Sequence, residues 1–75
     1  MTLNACILVK TIPLDTQEVL KKTLSLKGIR KAFVAYGRYD IVVFARTPGY
    51  PELRSLTGDL NSMKGVRSTE TLVEA

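Results

Sequence analysis

The sequence predicts an α+β domain of order βαββαβ, and three observations carry that prediction. Short runs rich in strand-forming residues recur around residues 5–9, 29–36, 40–46 and 66–73, and two stretches of helical periodicity lie between them. Breakers stand at the joins: Pro13, Gly28, Gly37, the Pro48-Gly49-Tyr50-Pro51 cluster and Gly65. The second and third strand runs are joined by only a few residues, which makes them an antiparallel hairpin.

Each element follows from its residues. Residues 4–12 predict the first strand, because Ala5-Cys6-Ile7-Leu8-Val9 is a continuous apolar run and Pro13 then removes a ladder donor. A helix opens at Asp15, the expected N-cap, with Glu18 three residues on in capping-box spacing. Its apolar stripe is Val19, Leu20, Thr23 and Leu24, and Gly28 terminates it. Residues 29–36 predict the second strand and residues 40–46 the third, with Gly37 to Tyr39 as the tight link. Pro51 suits the first turn of a second helix. Leu53, Leu56, Leu60 and Met63 give that helix its stripe. Residues 66–73 close the chain with a fourth strand, Arg67, Thr69, Thr71 and Val73 sharing one face. This is the ferredoxin-like split βαβ arrangement, with both helices on one face of a four-stranded antiparallel sheet.

A chain of 75 residues is one domain. Domains this small bury only roughly 60–65% of their unfolded surface and need reinforcement. Disulfides and a metal centre are excluded as the remedy, because the only cysteine is Cys6 and there is no histidine. Association is what remains. No apolar run approaches the ~18 residues of a membrane span. The start, Met1-Thr2-Leu3-Asn4, has no basic region ahead of an apolar one, so the expectation is a cytoplasmic protein without a signal. The net charge of +4 comes from scattered side chains, densest at Lys27-Gly28-Ile29-Arg30-Lys31, and describes a solvated cationic surface rather than a nucleic-acid stripe.

Strand alternation carries the association argument further. Ala5, Ile7 and Val9 lie on one side of the first strand, Cys6 and Leu8 on the other. Ile41, Val43 and Ala45 likewise oppose Val42 and Phe44. Both faces are apolar, and two helices cover only one. The uncovered face is therefore expected to be an interface, most simply with a second copy.

Catalytic chemistry finds little support. Without histidine there is no Ser-His or Cys-His pair. Cys6 lies mid-strand, where a cysteine is ordinarily a small core residue. The carboxylates form no pair, and Gly37-Arg38-Tyr39-Asp40 lacks the spacing of a phosphate loop. No cofactor is called for. What remains is a ligand-sized set. Gly37 frees backbone N–H groups to turn toward an anion. Asp40 offers an acceptor for an ammonium, Thr69 and Thr71 present hydroxyls, and Tyr36 and Tyr39 supply a wall and a polar tip. A free amino acid needs that combination. The plain alternative is that Asp40 caps the turn and the threonines are strand formers.

Three segments in order, Lys27-Gly28-Ile29, Gly37-Arg38-Tyr39-Asp40-Ile41 and Lys64-Gly65-Val66-Arg67-Ser68-Thr69-Glu70-Thr71-Leu72-Val73, resemble the effector-binding (RAM) domain of the Lrp/AsnC, or feast/famine, regulators. The resemblance covers nearly the whole chain. It departs at Leu14, where relatives often have Gly after the proline. It implies a non-enzymatic amino-acid-binding module linked to transcriptional regulation. It also implies a dimer formed sheet to sheet as an α/β sandwich or barrel, and rings of four or five dimers, octamers or decamers. Effectors would bind between dimers near the hairpin turn, at Tyr36, Gly37, Arg38, Tyr39 and Asp40, with Thr69 and Thr71 in support. Full-length members carry a helix-turn-helix for which this chain has no room, so direct DNA binding is not expected. Mixing with full-length regulators is the alternative role. Small ferredoxin-like dimers also include enzymes, which remain the rival class.

Overall fold

The computed structural model describes residues 2–75; Met1, part of the N-terminal stretch read above, lies outside them. Four strands and two helices appear in the expected order: β1 (Leu3–Thr11), α1 (Thr16–Leu24), β2 (Ile29–Val34), β3 (Ile41–Thr47), α2 (Tyr50–Ser62) and β4 (Val66–Val73). The sheet runs β2-β3-β1-β4 and every neighbouring pair is antiparallel. The two strands that carry the buried apolar alternation are therefore central, and the edges fall to β2 and β4.

Register decides which face is which. Ala5, Ile7 and Val9 stand opposite Ala45, Val43 and Ile41. All six are buried, together with Val19 from α1 and Leu53, Leu56 and Leu60 from α2. Both helices thus pack on this side and one core forms there. The other side carries Cys6, Leu8, Phe33, Val42, Phe44 and Leu72, and no described element of the chain covers it. Phe33 and Phe44 pack ring to ring at 6.3 Å, and the Lys31 ammonium lies 5.4 Å from the Phe33 ring centre.

Several local expectations are corrected. Asp15 makes no side-chain capping bond. A 3-10 turn at Pro13–Asp15 leads straight into α1, so Asp15 already has helical φ and ψ, whereas a capping side chain needs an extended backbone. The hydroxyls of Thr11 and Thr16, 2.6 Å apart, join strand end to helix start instead. Leu24 is 52% exposed, because α1 ends there and its stripe narrows to Val19 and Thr23, with Leu20 packing at the margin. Met63 lies just past α2 and still packs against the core. The second strand stops at Val34, so Tyr36 lies in a loop spanning 35–40, longer than the three-residue link expected. At β4 a bulge falls between its pairings with Lys10 and Thr11. Arg67 has no partner on β1 there, so the regular pairing that holds Thr69, Thr71 and Val73 on one face is interrupted at Arg67.

Gly65 shows why one position demands glycine. Its φ is +96°, and a Cβ there would lie 2.6 Å from the Asp15 Cβ and 3.1 Å from Val19 Cγ2. That close approach lets the Gly65 carbonyl accept from the Ile12 amide at 2.8 Å, which holds the start of β4 against the end of β1.

Candidate functional site

The hairpin loop 35–40 is built and held at one end of the sheet. The Ala35 amide donates to the Asp40 carbonyl (2.8 Å), closing the neck. Asp40 then anchors the loop to β1 twice. Its amide donates to the Val9 carbonyl at 2.9 Å, and its Oδ2 accepts from the Thr11 amide at 2.8 Å. Gly37 has φ +133°, a conformation that other residues adopt only under strain. Lys10 Nζ reaches the Arg38 carbonyl at 3.4 Å. The Tyr39 hydroxyl donates to Glu70 Oε1 at 2.6 Å. That bond, some loss of solvent and the neighbouring negative charge push the Tyr39 phenol above its ordinary 10.0, while Arg38 pulls the other way.

Of the seven residues singled out from the sequence, Tyr39 and the two threonines fall on opposite sides of the sheet, and the others lie in the loop at its end. Tyr39 bonds to Glu70, which pairs with Leu8 on the open face. Thr69 and Thr71 pair with Val9 and Ile7 and so lie on the helix side, where the Thr69 hydroxyl donates to Asn61 Oδ1 at 3.0 Å. Thr71 lines a shallow groove of about 280 Å³ with Tyr50, Leu53, Arg54, Thr57 and Val73. Tyr36 is 99% exposed and walls nothing within one copy. One oxygen of Asp40 accepts from the Thr11 amide at the end of β1 rather than from an amide of its own turn; the other makes no protein hydrogen bond among the described residues. The set does not converge within a single protomer.

Sequence reasoning missed Glu70, Lys10 and Asn61, the partners of the loop and of Thr69. Strand alternation was the available signal for Glu70, since a carboxylate two residues before Leu72 stands on an apolar face. It also missed a groove of about 250 Å³ at the opposite end of the sheet, lined in part by Leu26, Thr47, Pro48, Glu52, Ser55 and Asp59. The acidic rim of that groove is open to solvent. Among the described residues no three His, Cys, Asp or Glu side chains are grouped to hold a metal ion, and no helix is long and apolar enough to cross a membrane.

The fold recurs in known proteins. The family model for the Lrp/AsnC ligand binding domain matches residues 4–74. The chain belongs to that family. Among curated relatives, the HTH-type transcriptional regulator LysM of Sulfurisphaera tokodaii is 29% identical over 72 residues, 95% of this chain but 51% of LysM. The chain therefore spans about half the length of the curated relative it matches. The crystal structure of TTHA0845 from Thermus thermophilus superposes with a TM-score of 0.93 at 26% identity, covering 97% of this chain and 92% of that one. A more distant fold relative is the transcriptional regulator NMB0573 of Neisseria meningitidis, solved as an L-Met complex. It has a TM-score of 0.85 at 20% identity, over 97% of this chain and 49% of that protein. The Lrp/AsnC domain thus accounts for the chain from β1 through β4.

Proposed function

We propose that this chain is a non-enzymatic module that binds a free amino acid or a similar small effector and works as an oligomer in transcriptional regulation. The observation that carries the reading is the loop 35–40. It is pinned to β1 through Asp40, yet it leaves Tyr36 and Arg38 in solvent and one Asp40 oxygen without a protein partner among the described residues. Backbone N–H groups around Gly37 suit a carboxylate, and the unpaired Asp40 oxygen suits an ammonium. A second copy would supply the missing wall, because Tyr36 is too exposed to close a site alone. Capture of L-Met by the Neisseria fold relative supports the ligand class.

The open face supports pairing with a second copy. Its centre is apolar, with Cys6, Leu8, Phe33, Val42, Phe44 and Leu72. Its two ends are polar, with Arg46 donating to Asn4 and Asn4 to Glu74 at one end, and Lys10, Tyr39 and Glu70 at the other. An apolar centre inside a polar rim is the anatomy of an interface. The same face fits the corresponding face of a full-length regulator, which is the second reading.

Asp40→Asn tests the site. The amide oxygen still accepts from the Thr11 amide, so folding is retained, while the negative charge is lost. A thermal-shift screen against the twenty amino acids should give a selective rise in Tm for the wild type and none for Asp40→Asn. An equal rise in both removes Asp40 from the site, and no rise in the wild type removes the amino-acid reading.

A further inference from the structure

Tyr39 and Glu70 belong to different parts of the reading above, and one hydrogen bond joins them. Tyr39 sits on the hairpin loop. Glu70 sits on β4, opposite Leu8 and two residues before Leu72, on the open face. In the order β2-β3-β1-β4, β1 lies between the loop's strands and β4. The 2.6 Å bond therefore crosses β1 on the side that nothing described covers. The other ties of the loop stop at β1, and one of them, from Lys10 Nζ to the Arg38 carbonyl at 3.4 Å, is also exposed. Those of Asp40 run to the backbone of β1, and the Thr11 bond is partly buried. The Tyr39–Glu70 bond is exposed to water.

An exposed hydrogen bond gains little over its competition with water, and the same bond strengthens when water is excluded. Covering Leu8 and Leu72 brings Glu70 to the rim of the covered area. A carboxylate there needs a donor, because leaving a charge desolvated and unpaired opposes association. Tyr39 is that donor, and holding it in place fixes the loop.

We propose that the Tyr39–Glu70 hydrogen bond is a strap coupling order in the hairpin loop to pairing across the open face. The strap rests on the sheet-to-sheet pairing read above and adds its regulation. Pairing organises the loop that receives the effector, and by linkage an effector that orders the loop tightens pairing to the same degree. Tyr39 and Glu70 are positioning residues in this scheme; neither needs to touch the effector.

The test is amide hydrogen exchange of residues 36–39, measured on the full chain at concentrations above and below its association midpoint. Wild-type loop amides should exchange several-fold more slowly once the chain associates. Y39F should still associate, with its dissociation constant raised about five- to tenfold, the factor carried by one hydrogen bond of ordinary net worth. Its loop amides should no longer respond to concentration. E70A should reproduce this from the other side, and the double variant should be no worse than either single one. Loop exchange that ignores concentration in the wild type, or that slows equally in Y39F, overturns the strap. Phe44→Glu separates the two failures. If that variant associates like the wild type, the pairing itself is wrong; if it is monomeric while Y39F keeps the wild-type slowing, only the strap is wrong.

Discussion

Asp40 has one structural task, and the proposed function gives it a second. Its Oδ2 satisfies the Thr11 amide, and its other oxygen has no protein partner among the described residues. Asp40→Ala leaves that partly buried amide without an acceptor, so a loss of about 1–3 kcal/mol is expected in urea unfolding. Asp40→Asn should cost much less, and the difference between the two separates turn from charge. At Tyr39 the sign of the pH dependence follows from its partner. The folded phenol titrates above 10.0, so the bond to Glu70 contributes fully below that pH and is lost as pH climbs through the raised value. An ultraviolet titration should show Tyr39 above 10.0 in the wild type and moved back toward it in Glu70→Gln, which keeps an acceptor but not the charge. No change in Glu70→Gln would mean that the carboxylate is not what holds the phenol.

Among the elements, α1 and the β1–β4 junction are the most sensitive. Thr23 is fully buried on α1 and its hydroxyl has no hydrogen-bond partner among the described residues. Thr23→Val removes the orphan group while keeping shape, so stability should rise by about 1 kcal/mol; a fall would mean that the hydroxyl has a partner in solution. Gly65→Ala meets both a positive φ and the Asp15 side chain, and should cost more than about 2 kcal/mol in denaturant unfolding. Element order, strand alternation and the α2 stripe of Leu53, Leu56 and Leu60 were legible from sequence because each is a local period with a local cause. Capping at Asp15 was not, since the choice between a 3-10 entry and a capping box is settled by how Pro13 and Gly65 bring the chain against β1. The bulge at Arg67 was not legible either, because register between distant strands has no local signal. For the candidate site, the loop and its glycine were visible in sequence. The division of Tyr39 from Thr69 and Thr71 across the sheet became visible only once register fixed the faces.

For the whole molecule, the helices cover one side of the sheet and no described element covers the other. A 75-residue chain has little core to spare, and exposing Phe33, Phe44 and Leu72 together is the arrangement association relieves. Burial of those side chains is expected to contribute at about 25 cal/mol per Å² of apolar area removed from water, before the costs of association. In the proposed reading, loop 35–40 borders one end of the open face, and assembly state and ligand capture are coupled through it. Sedimentation equilibrium of the wild type beside Phe44→Glu tests that coupling at its root. A wild-type dimer or larger ring is expected, beside a folded Phe44→Glu monomer with the same far-ultraviolet circular dichroism. A wild type that is monomeric throughout, or a Phe44→Glu chain with the wild-type mass, would contradict pairing across the open face.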